Sequence, residues 1–548
     1  MGRTTGQGIE GTHMLYVIGS GPAGVSCAHA LLSRGEEVTL IDVGIEPEKG
    51  VIKDLETVRR TPPKEWKNPA TSGGAIITKI KDQTKPKNGK IDTKLVFGSD
   101  YPYQKAQQQL GVEQQGASCK PSFAKGGFSS VWGAAILPYP RGDVEVWPIT
   151  FEQLEPYYRK VAGFMEIAGC QDGLGELFPL YAEHLQKYRH SKQADSFLQD
   201  MGQSQKALNA RGVVFGSSRL AMRIAEKEGK PGCAYCGLCM YGCPYNLIYN
   251  SAFTLEELRK NRLFHYVSGV IVEKVIENAG AVRIDGRSLS TGSSLSFSGS
   301  RVFLACGAVP STRIILASAT RYNEPITLKD SQYFLVPLVR YKNVENVMEE
   351  DLHTLAQIFV EIFDKKISPH PVHLQIYTYN ELMLRVMQAR FGLLYPLFRW
   401  PIKNIIGRML LIQGFLHSDH SASITMELQK DGGGTEKLLI RSTTPLEAKK
   451  IIKKVMDKLV QERNLLKAVP LLPMVDMELP GKSFHYGSSM PMSKNPKGME
   501  SDILGRPCGF KKIHVVDSSV LPTLPAPTVT FAVMANAYRI GSEYDTLP

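Results

Sequence analysis

No uninterrupted apolar stretch in the 548 residues reaches the roughly eighteen that a membrane-spanning helix needs, so a chain that crosses a bilayer is not expected. No cluster of Lys and Arg resembles a nucleic-acid-binding arm; the formal charge of +12 is spread along the chain, and nucleic acid is excluded as a partner. Cysteine is scarce. Nine residues cannot staple a chain of this length, and four of them fall within eleven positions, which points to a local site and not a disulfide framework. No internal repeat is visible, which excludes a solenoid. No secretory signal precedes the first strand pattern at Met14, so the expectation is a cytoplasmic location. Residues 1–13, small and polar, read as an expression scar.

What is present is an ordinary globular composition, 43% hydrophobic and 22% charged, at a length that divides into two or more domains. The positive balance favours acidic substrates, phosphates or membrane surfaces without choosing among them. Leu15 to Ile18 reads as a buried strand, 23–33 as a helix and 37–42 as a second strand, the start of a parallel βαβ unit. From 44 to 116 the chain turns Lys, Pro, Gly and Gln rich, a covering excursion without periodicity. Residues 147–203 read as helical, from the spacing of Leu154, Tyr157, Tyr158, Val161 and Met165. Segments 271–287 and 293–305 read as strands, the second returning to the first sheet. Alternation within 328–475, as in 372–377 and 421–428, predicts a second, mostly antiparallel sheet.

Gly19-Ser20-Gly21-Pro22-Ala23-Gly24 matches G-x-G-x-x-G between a strand and a helix. Glycines there permit a tight turn and close approach of backbone amides to a diphosphate at the helix N-terminus. Asp42, ending the second strand, is placed to accept from a ribose hydroxyl, which favours FAD or NAD over NADP. Cys233, Cys236, Cys239 and Cys243, followed by Pro244, have the C-x2-C-x2-C-x3-C-P spacing of bacterial ferredoxins. That spacing suits a three-iron or four-iron cluster better than zinc, whose paired knuckles stand further apart; reduced structural thiols, or disulfides formed on isolation, are the alternatives. Between 385 and 417 there is no acidic residue, while Arg390, Arg399, Lys403 and Arg408 are mixed with aromatic and aliphatic side chains. Either this stretch lies on an anionic membrane, or it forms substrate-domain helices with snorkelling basic residues.

Several separated segments resemble the glucose-methanol-choline (GMC) oxidoreductases. Lys125-Gly126-Gly127-Phe128-Ser129-Ser130-Val131-Trp132-Gly133 is similar to the family's flavin-contacting glycine-serine loop, and Trp147 to Tyr158 to the segment that follows it in bacterial members. Val272 resembles the valine near the adenine, and Ala305-Cys306-Gly307-Ala308 the usual Ala-Ala-Gly-Ala. His514-Val515-Val516-Asp517-Ser518 resembles the last flavin-contacting strand, Pro527-Thr528-Val529-Thr530 the family's Pro-Thr-x-Thr, and Thr530 to Ile540 its closing helix. His485 corresponds to the catalytic histidine. Ala526 departs from the pattern, standing where members usually carry an Asn or His that helps hold the substrate oxygen.

The resemblance implies an α/β fold: a Rossmann-like FAD-binding domain with an α+β substrate domain on a mainly antiparallel sheet, of the GMC and p-hydroxybenzoate-hydroxylase type. The expected division is 14–146, 211–325 with the cysteines, and 477–548 for the FAD domain, 147–210 for a helical cap, and 326–476 for the substrate domain. It further implies an FAD-dependent dehydrogenase that oxidises an alcohol, a sugar hydroxyl among the options, with His485 as base and the cluster passing electrons to a protein or quinone acceptor. A flavin oxidase, lyase or isomerase with structural cysteines, and an electron-transfer subunit without substrate chemistry, are the rival readings.

Overall fold

The computed structural model describes residues 14–84, 86, 93–278, 280–392 and 405–547. The leader 1–13 and the middle of the aromatic-basic stretch, 393–404, lie outside the described residues.

Strand β1 (Leu15–Ile18), helix α1 (Pro22–Ser33) and strand β2 (Val38–Ile41) form the expected unit, β1 and β2 pairing in parallel from Leu15↔Val38 to Ile18↔Ile41. Arg301–Leu304 and Ile513–Val515 add on one side and Phe264–Val267 on the other, giving a five-stranded sheet whose ladders are all parallel. Every residue of β1 and β2 is buried, as a sheet covered on both faces requires, which is why these strands read as continuous apolar runs. The C-terminal helix Thr530–Glu543 lies against α1 so closely that a Cβ on Gly541 would stand 2.9 Å from the Cys27 carbonyl oxygen.

Two strand expectations divide. Segment 271–287 is a hairpin, Val270–Glu277 with Val282–Ser288, turned where Asn278 N–H donates to Ala281 O (2.9 Å). Segment 293–305 is Ser294–Gly299, which completes a three-stranded antiparallel sheet, and then Arg301–Leu304, which leaves it to pair with β1. Two helical expectations also need correction. Within 147–203 only Phe151–Ala162 and Lys192–Gly202 are α-helices; Gly163 caps the first, and the Gly and Pro residues beyond it do not restart the pattern. The excursion 44–116 does hold structure, helices Lys49–Arg60 and Ser72–Gln83, which bury Val58, Trp66, Ile77 and Ile80 together. Their apolar positions are few among Lys, Pro and Gly, too few to show a period.

The helix Phe151–Ala162 starts with a reciprocal cap: Thr150 Oγ1 accepts from Gln153 N–H (3.3 Å), and Gln153 Oε1 accepts from Thr150 N–H (2.8 Å). Thr150→Ala is expected to lower stability by about 1 kcal/mol, read as a shift of the urea midpoint without change of slope.

The antiparallel sheet runs in the order Ala468–Pro470, Tyr333–Arg340, Met409–Phe415, Val372–Tyr377, Ile358–Ile362, Val213–Ser217. Its last strand comes from the 211–325 segment, so that part of the chain serves both sheets. Ile424–Lys430, by contrast, is not in this sheet; it joins a second five-stranded sheet with Ile326–Asp330, Glu436–Ser442, Val112–Gln115 and Tyr486–Gly487. One face of the large sheet buries Phe334, Val336, Leu338, Leu410 and Ile412 beneath helix Leu446–Gln461. Its other face is open to a cavity.

Candidate active site

The turn after β1 is built by three glycines with different tasks. Gly19 sits at φ +102°, open only to glycine, and its N–H donates to Ile41 O (2.8 Å). A Cβ on Gly24 would lie 1.8 Å from the Gly19 carbonyl oxygen, so Gly24 lets α1 close onto the turn. Gly21, the N-cap of α1, has no heavy atom within 4 Å of where its Cβ would be. Its bare side faces open space at the start of α1, where the first-turn amides have no intrahelical acceptor, the arrangement that receives a phosphate group.

Asp42 is buried at the end of β2. Ser20 Oγ donates to it and accepts from Gly126 N–H (2.9 Å), tying the first turn to the glycine-serine loop. Burial raises the Asp42 carboxyl to about 6, opposed by the Ser20 hydrogen bond. In the loop itself Gly126 has φ +84° and stands against Asn250, while Gly127–Ser130 form a 3-10 turn. Ser129 Oγ donates to Gly126 O (2.6 Å), Ser130 Oγ to Gly127 O (2.8 Å), and Trp132 Nε1 to Tyr249 O (2.7 Å).

These elements wall part of a cavity of about 1050 Å³. Gly19, Gly21, Pro22, Ala23, Asp42, Gly127, Ser129, Val131, Trp132, Val272, Asp517, Ser518, Thr528, Thr530 and His485 all line it. Gly24, Gly126 and Ser130 do not; they shape the backbone behind the wall. Asp517 is buried and fully engaged, accepting from Gly307 N–H (3.0 Å), Ser311 Oγ (2.5 Å) and Ser519 N–H (3.0 Å), so it brackets the 305–308 turn against the last strand. Ser518 Oγ donates to Tyr486 O (2.8 Å) and Thr528 Oγ1 to Ala135 O (2.9 Å).

His485 lines the same cavity. Its loop is held by Asp330, which accepts from Ser483 Oγ (2.9 Å), and by Ser331 N–H, which donates to His485 O (2.9 Å). Phe484 adopts φ +60°, a strained position for a phenylalanine, and its ring meets Phe128 edge-on at 4.8 Å. The imidazole stacks on Phe415 with centroids 5.0 Å apart, and Nδ1 is buried without a hydrogen-bond partner. Burial, with a smaller contribution from His373, lowers the His485 pKa to about 3, so the ring is neutral at physiological pH.

The cavity floor is the open face of the large sheet, and alternation fixes what it presents. Tyr333 pairs with Phe415, Leu335 with Gln413, Pro337 with Leu411 and Val339 with Met409, all lining the cavity; Gln375 and Tyr377 extend the Gln413 and Leu411 rows. The floor thus grades from amides near His485 to aliphatic side chains further out. Gln375 is engaged by Tyr377 OH (3.2 Å) and by His373 Nε2 (3.2 Å), whereas the side-chain amide of Gln413 makes no hydrogen bond among the described residues. Ala526 does not line the cavity: it is buried between Tyr333 and Phe415. The floor residues carry no motif; only the pairing register reveals them, together with the partly exposed positions 335, 337, 339, 411 and 413 within otherwise buried strands.

The four clustered cysteines lie beside this cavity and do not line it. Cys239 is buried with Leu220 and Met222, and Cys236 packs against Tyr241 and Leu382. Met240 and Lys94 line the cavity next to them, Lys94 Nζ donating to Trp132 O (3.0 Å). Burial lowers the Lys94 ammonium to about 8, opposed by Cys239. Burial, then the Cys239 neighbour, raises the Cys233 thiol to about 12 and the Cys243 thiol to about 11. Backbone amides point at the sulfurs, Tyr235 N–H at Cys233 and Leu247 N–H at Cys243, both at 3.4 Å. Among the described residues no three of these sulfurs lie within 4.8 Å of one another. A single zinc ion with bonds of ~2.3 Å would draw them closer than that. The residues that do gather so closely are Asp143, His370 and His417, where His417 Nδ1 already accepts the Asp419 amide (3.1 Å).

No family model matches this chain, and no curated protein matches it. Among solved structures it is similar to pyridoxine 4-oxidase from Mesorbium loti, with a TM-score of 0.60 at 12% identity over 98% of this chain and 100% of that one. At that identity the likeness is one of architecture, and the parallel sheet joined to antiparallel sheets is a GMC oxidoreductase-like fold.

Proposed function

We propose that this chain is an FAD-dependent oxidoreductase acting on the CH–OH group of a largely apolar alcohol. The observation that carries the reading is one cavity of about 1050 Å³ lined both by the glycine turn at Gly19–Gly21 and by the imidazole of His485. The residues fit FAD: bare amides and the α1 N-terminus for the diphosphate, Asp42 for a ribose, and apolar Val270, Ile271 and Val272 for the adenine. FAD, when bound, would supply the hydride acceptor. Neutral His485 would take the hydroxyl proton as the carbon loses its hydride and becomes a carbonyl. Gln413, with its amide unengaged, would hold the substrate oxygen in place of the polar group that Ala526 lacks.

The aliphatic outer floor, Val339, Leu411 and Met409, disfavours a sugar, whose hydroxyls would find few partners there. The test is anaerobic titration of purified protein with aliphatic and aromatic alcohols and with glucose, followed by flavin absorbance. Bleaching by the apolar alcohols supports the reading; a colourless protein that retains no flavin after incubation with FAD overturns it.

A second feature of the reading is an iron-sulfur cluster on Cys233, Cys236, Cys239 and Cys243, supported by the amides aimed at the sulfurs, which stabilise thiolates over thiols. It would pass electrons singly to a protein or quinone acceptor. Iron and acid-labile sulfide in anaerobically purified protein are expected at several atoms per chain and lost in Cys239→Ser. Their absence from the wild type would leave a flavin oxidase with structural cysteines.

A further inference from the structure

The large sheet holds a buried acid and a buried imidazole that the proposed reaction leaves unused. Glu361 and His373 face each other across strands Ile358–Ile362 and Val372–Tyr377, and neither side chain has exposed surface. His373 also pairs with Phe415, on which His485 stacks, and Gln375 and Tyr377 follow it at two-residue steps on the face that lines the cavity. A buried carboxylate beside an imidazole is seldom better for stability than an apolar pair of the same volume, which points to a role other than packing. The hydrogen bonds from it run in one direction. Glu361 Oε1 lies 2.5 Å from His373 Nδ1, which sets the proton of the neutral ring on Nδ1. His373 Nε2 is then an acceptor, as it must be for Gln375 Nε2, which lies 3.2 Å away and can only donate. With its nitrogen committed to His373, Gln375 turns its oxygen to Tyr377, whose hydroxyl donates to it at 3.2 Å. A phenol has one proton, so the Tyr377 oxygen is left with lone pairs alone, and among the described residues nothing donates to them. That oxygen stands 3.6 Å from where a Cβ on Gly133 would be, beside the glycine-serine loop, and both residues line the cavity.

We propose that Glu361 and His373 are positioning residues that fix the Gln375 amide and, through it, make the Tyr377 hydroxyl oxygen an acceptor for a second O–H or N–H group on the substrate. The substrate class narrows to largely apolar alcohols that carry one further hydrogen-bond donor away from the reacting carbon. Were the amide reversed, its N–H would meet the Tyr377 oxygen, and the phenol proton would turn into the cavity and favour an acceptor instead. The carboxylate at the far end of the chain also polarises each bond in it, which strengthens the last acceptor. The substrate class rests on the oxidoreductase reading, whereas the direction of the chain does not.

Benzyl alcohols with a ring hydroxyl at the ortho, meta or para position, each matched with the fluoro compound of the same pattern, serve as probes, since the shapes are close and only the hydroxyl donates. Calorimetric titration into the FAD-loaded full-length protein reads binding, and anaerobic stopped-flow reduction reads turnover. Wild type is expected to bind at least one hydroxyl isomer ~5-fold or more tightly than its fluoro match. In Tyr377→Phe that ratio is expected to fall to near unity, with the flavin spectrum of the ligand-free protein unchanged. The double variant Glu361→Met with His373→Leu leaves no buried charge unpaired and is expected to lose the ratio as well. Glu361→Gln, which keeps an acceptor for the His373 Nδ1–H, is expected to retain it. Equal binding of every matched pair by wild type overturns the proposal, as does a double variant that keeps the wild-type ratio. So does a Tyr377→Phe protein that keeps that ratio or shows a displaced flavin spectrum, because in the latter case Tyr377 meets the flavin and not the substrate. A flavin that no alcohol reduces, in a protein that still prefers the hydroxyl isomer, would remove the oxidoreductase reading and leave the acceptor at Tyr377 standing.

Discussion

His485→Gln is expected to retain bound FAD and a native melting profile but to have its flavin reduced by alcohol about 10²–10⁴-fold more slowly, the range a positioned proton acceptor contributes. Glutamine keeps a polar group of similar reach and cannot accept the hydroxyl proton. Retention of the fold is expected because the loop is fixed by groups other than the ring: Ser483 to Asp330, and Ser331 to the His485 carbonyl. Stopped-flow reduction under anaerobic conditions reads the effect, and a variant reduced as fast as wild type would remove the base from the reaction. The pH dependence is separately informative. An imidazole lowered to about 3 stays neutral far below the ~6.5 of a free histidine, so the acid limb of the reduction rate is expected well below 6.5. The same shift affects stability. A histidine whose folded pKa is depressed contributes stability that is present above the unfolded value and is lost as pH falls from ~6.5 toward 3. His485→Gln should therefore be less acid-sensitive than wild type across that interval.

Gly24→Ala and Gly21→Ala are expected to fail in different ways, although both lie in the same six-residue motif. The new Cβ of Gly24→Ala would stand 1.8 Å from the Gly19 carbonyl oxygen, and 3.4 Å from Ala305 Cβ behind it. Both near atoms of that first contact are backbone, so relief requires α1 to move off β1, where it also supports the C-terminal helix. The cost exceeds the ~1–3 kcal/mol of ordinary overpacking, a large part of a typical folding free energy of ~5–15 kcal/mol, and the variant is expected to be unfolded or insoluble. Gly21→Ala meets nothing within 4 Å and keeps an allowed φ of −64°, so the protein without cofactor should melt within a degree or two of wild type. Its methyl group instead occupies the open side of the turn, and the flavin-to-protein absorbance ratio is expected to fall close to zero. A Gly21→Ala protein that still carries full FAD would place the diphosphate elsewhere.

The chain order of amino acids determined the local parts of this protein. β1, the glycine turn, α1 and β2 are contiguous, and each is specified by near-neighbour physics: an apolar run for a fully buried strand, glycine where only glycine fits, Pro22 where a helix starts. The positions of His485, Asp517 and Thr528 around one cavity were likewise legible through their motifs. The helices in 44–116 were not, because their apolar positions are sparse and gain their burial from Leu238, Tyr241 and Leu382, far away in the chain. The cavity floor was equally invisible. Which of Gln375, Gln413, Leu411 and Met409 face the cavity depends on the pairing of strands from distant segments, and a one-residue slip in register would turn each of them to the opposite face. Nor did the motif show that Ala526 is buried against Tyr333 and Phe415, two residues of that floor. Short-range sterics fixed the cofactor turn, whereas the substrate chamber exists only once long-range sheet pairing has brought its walls together.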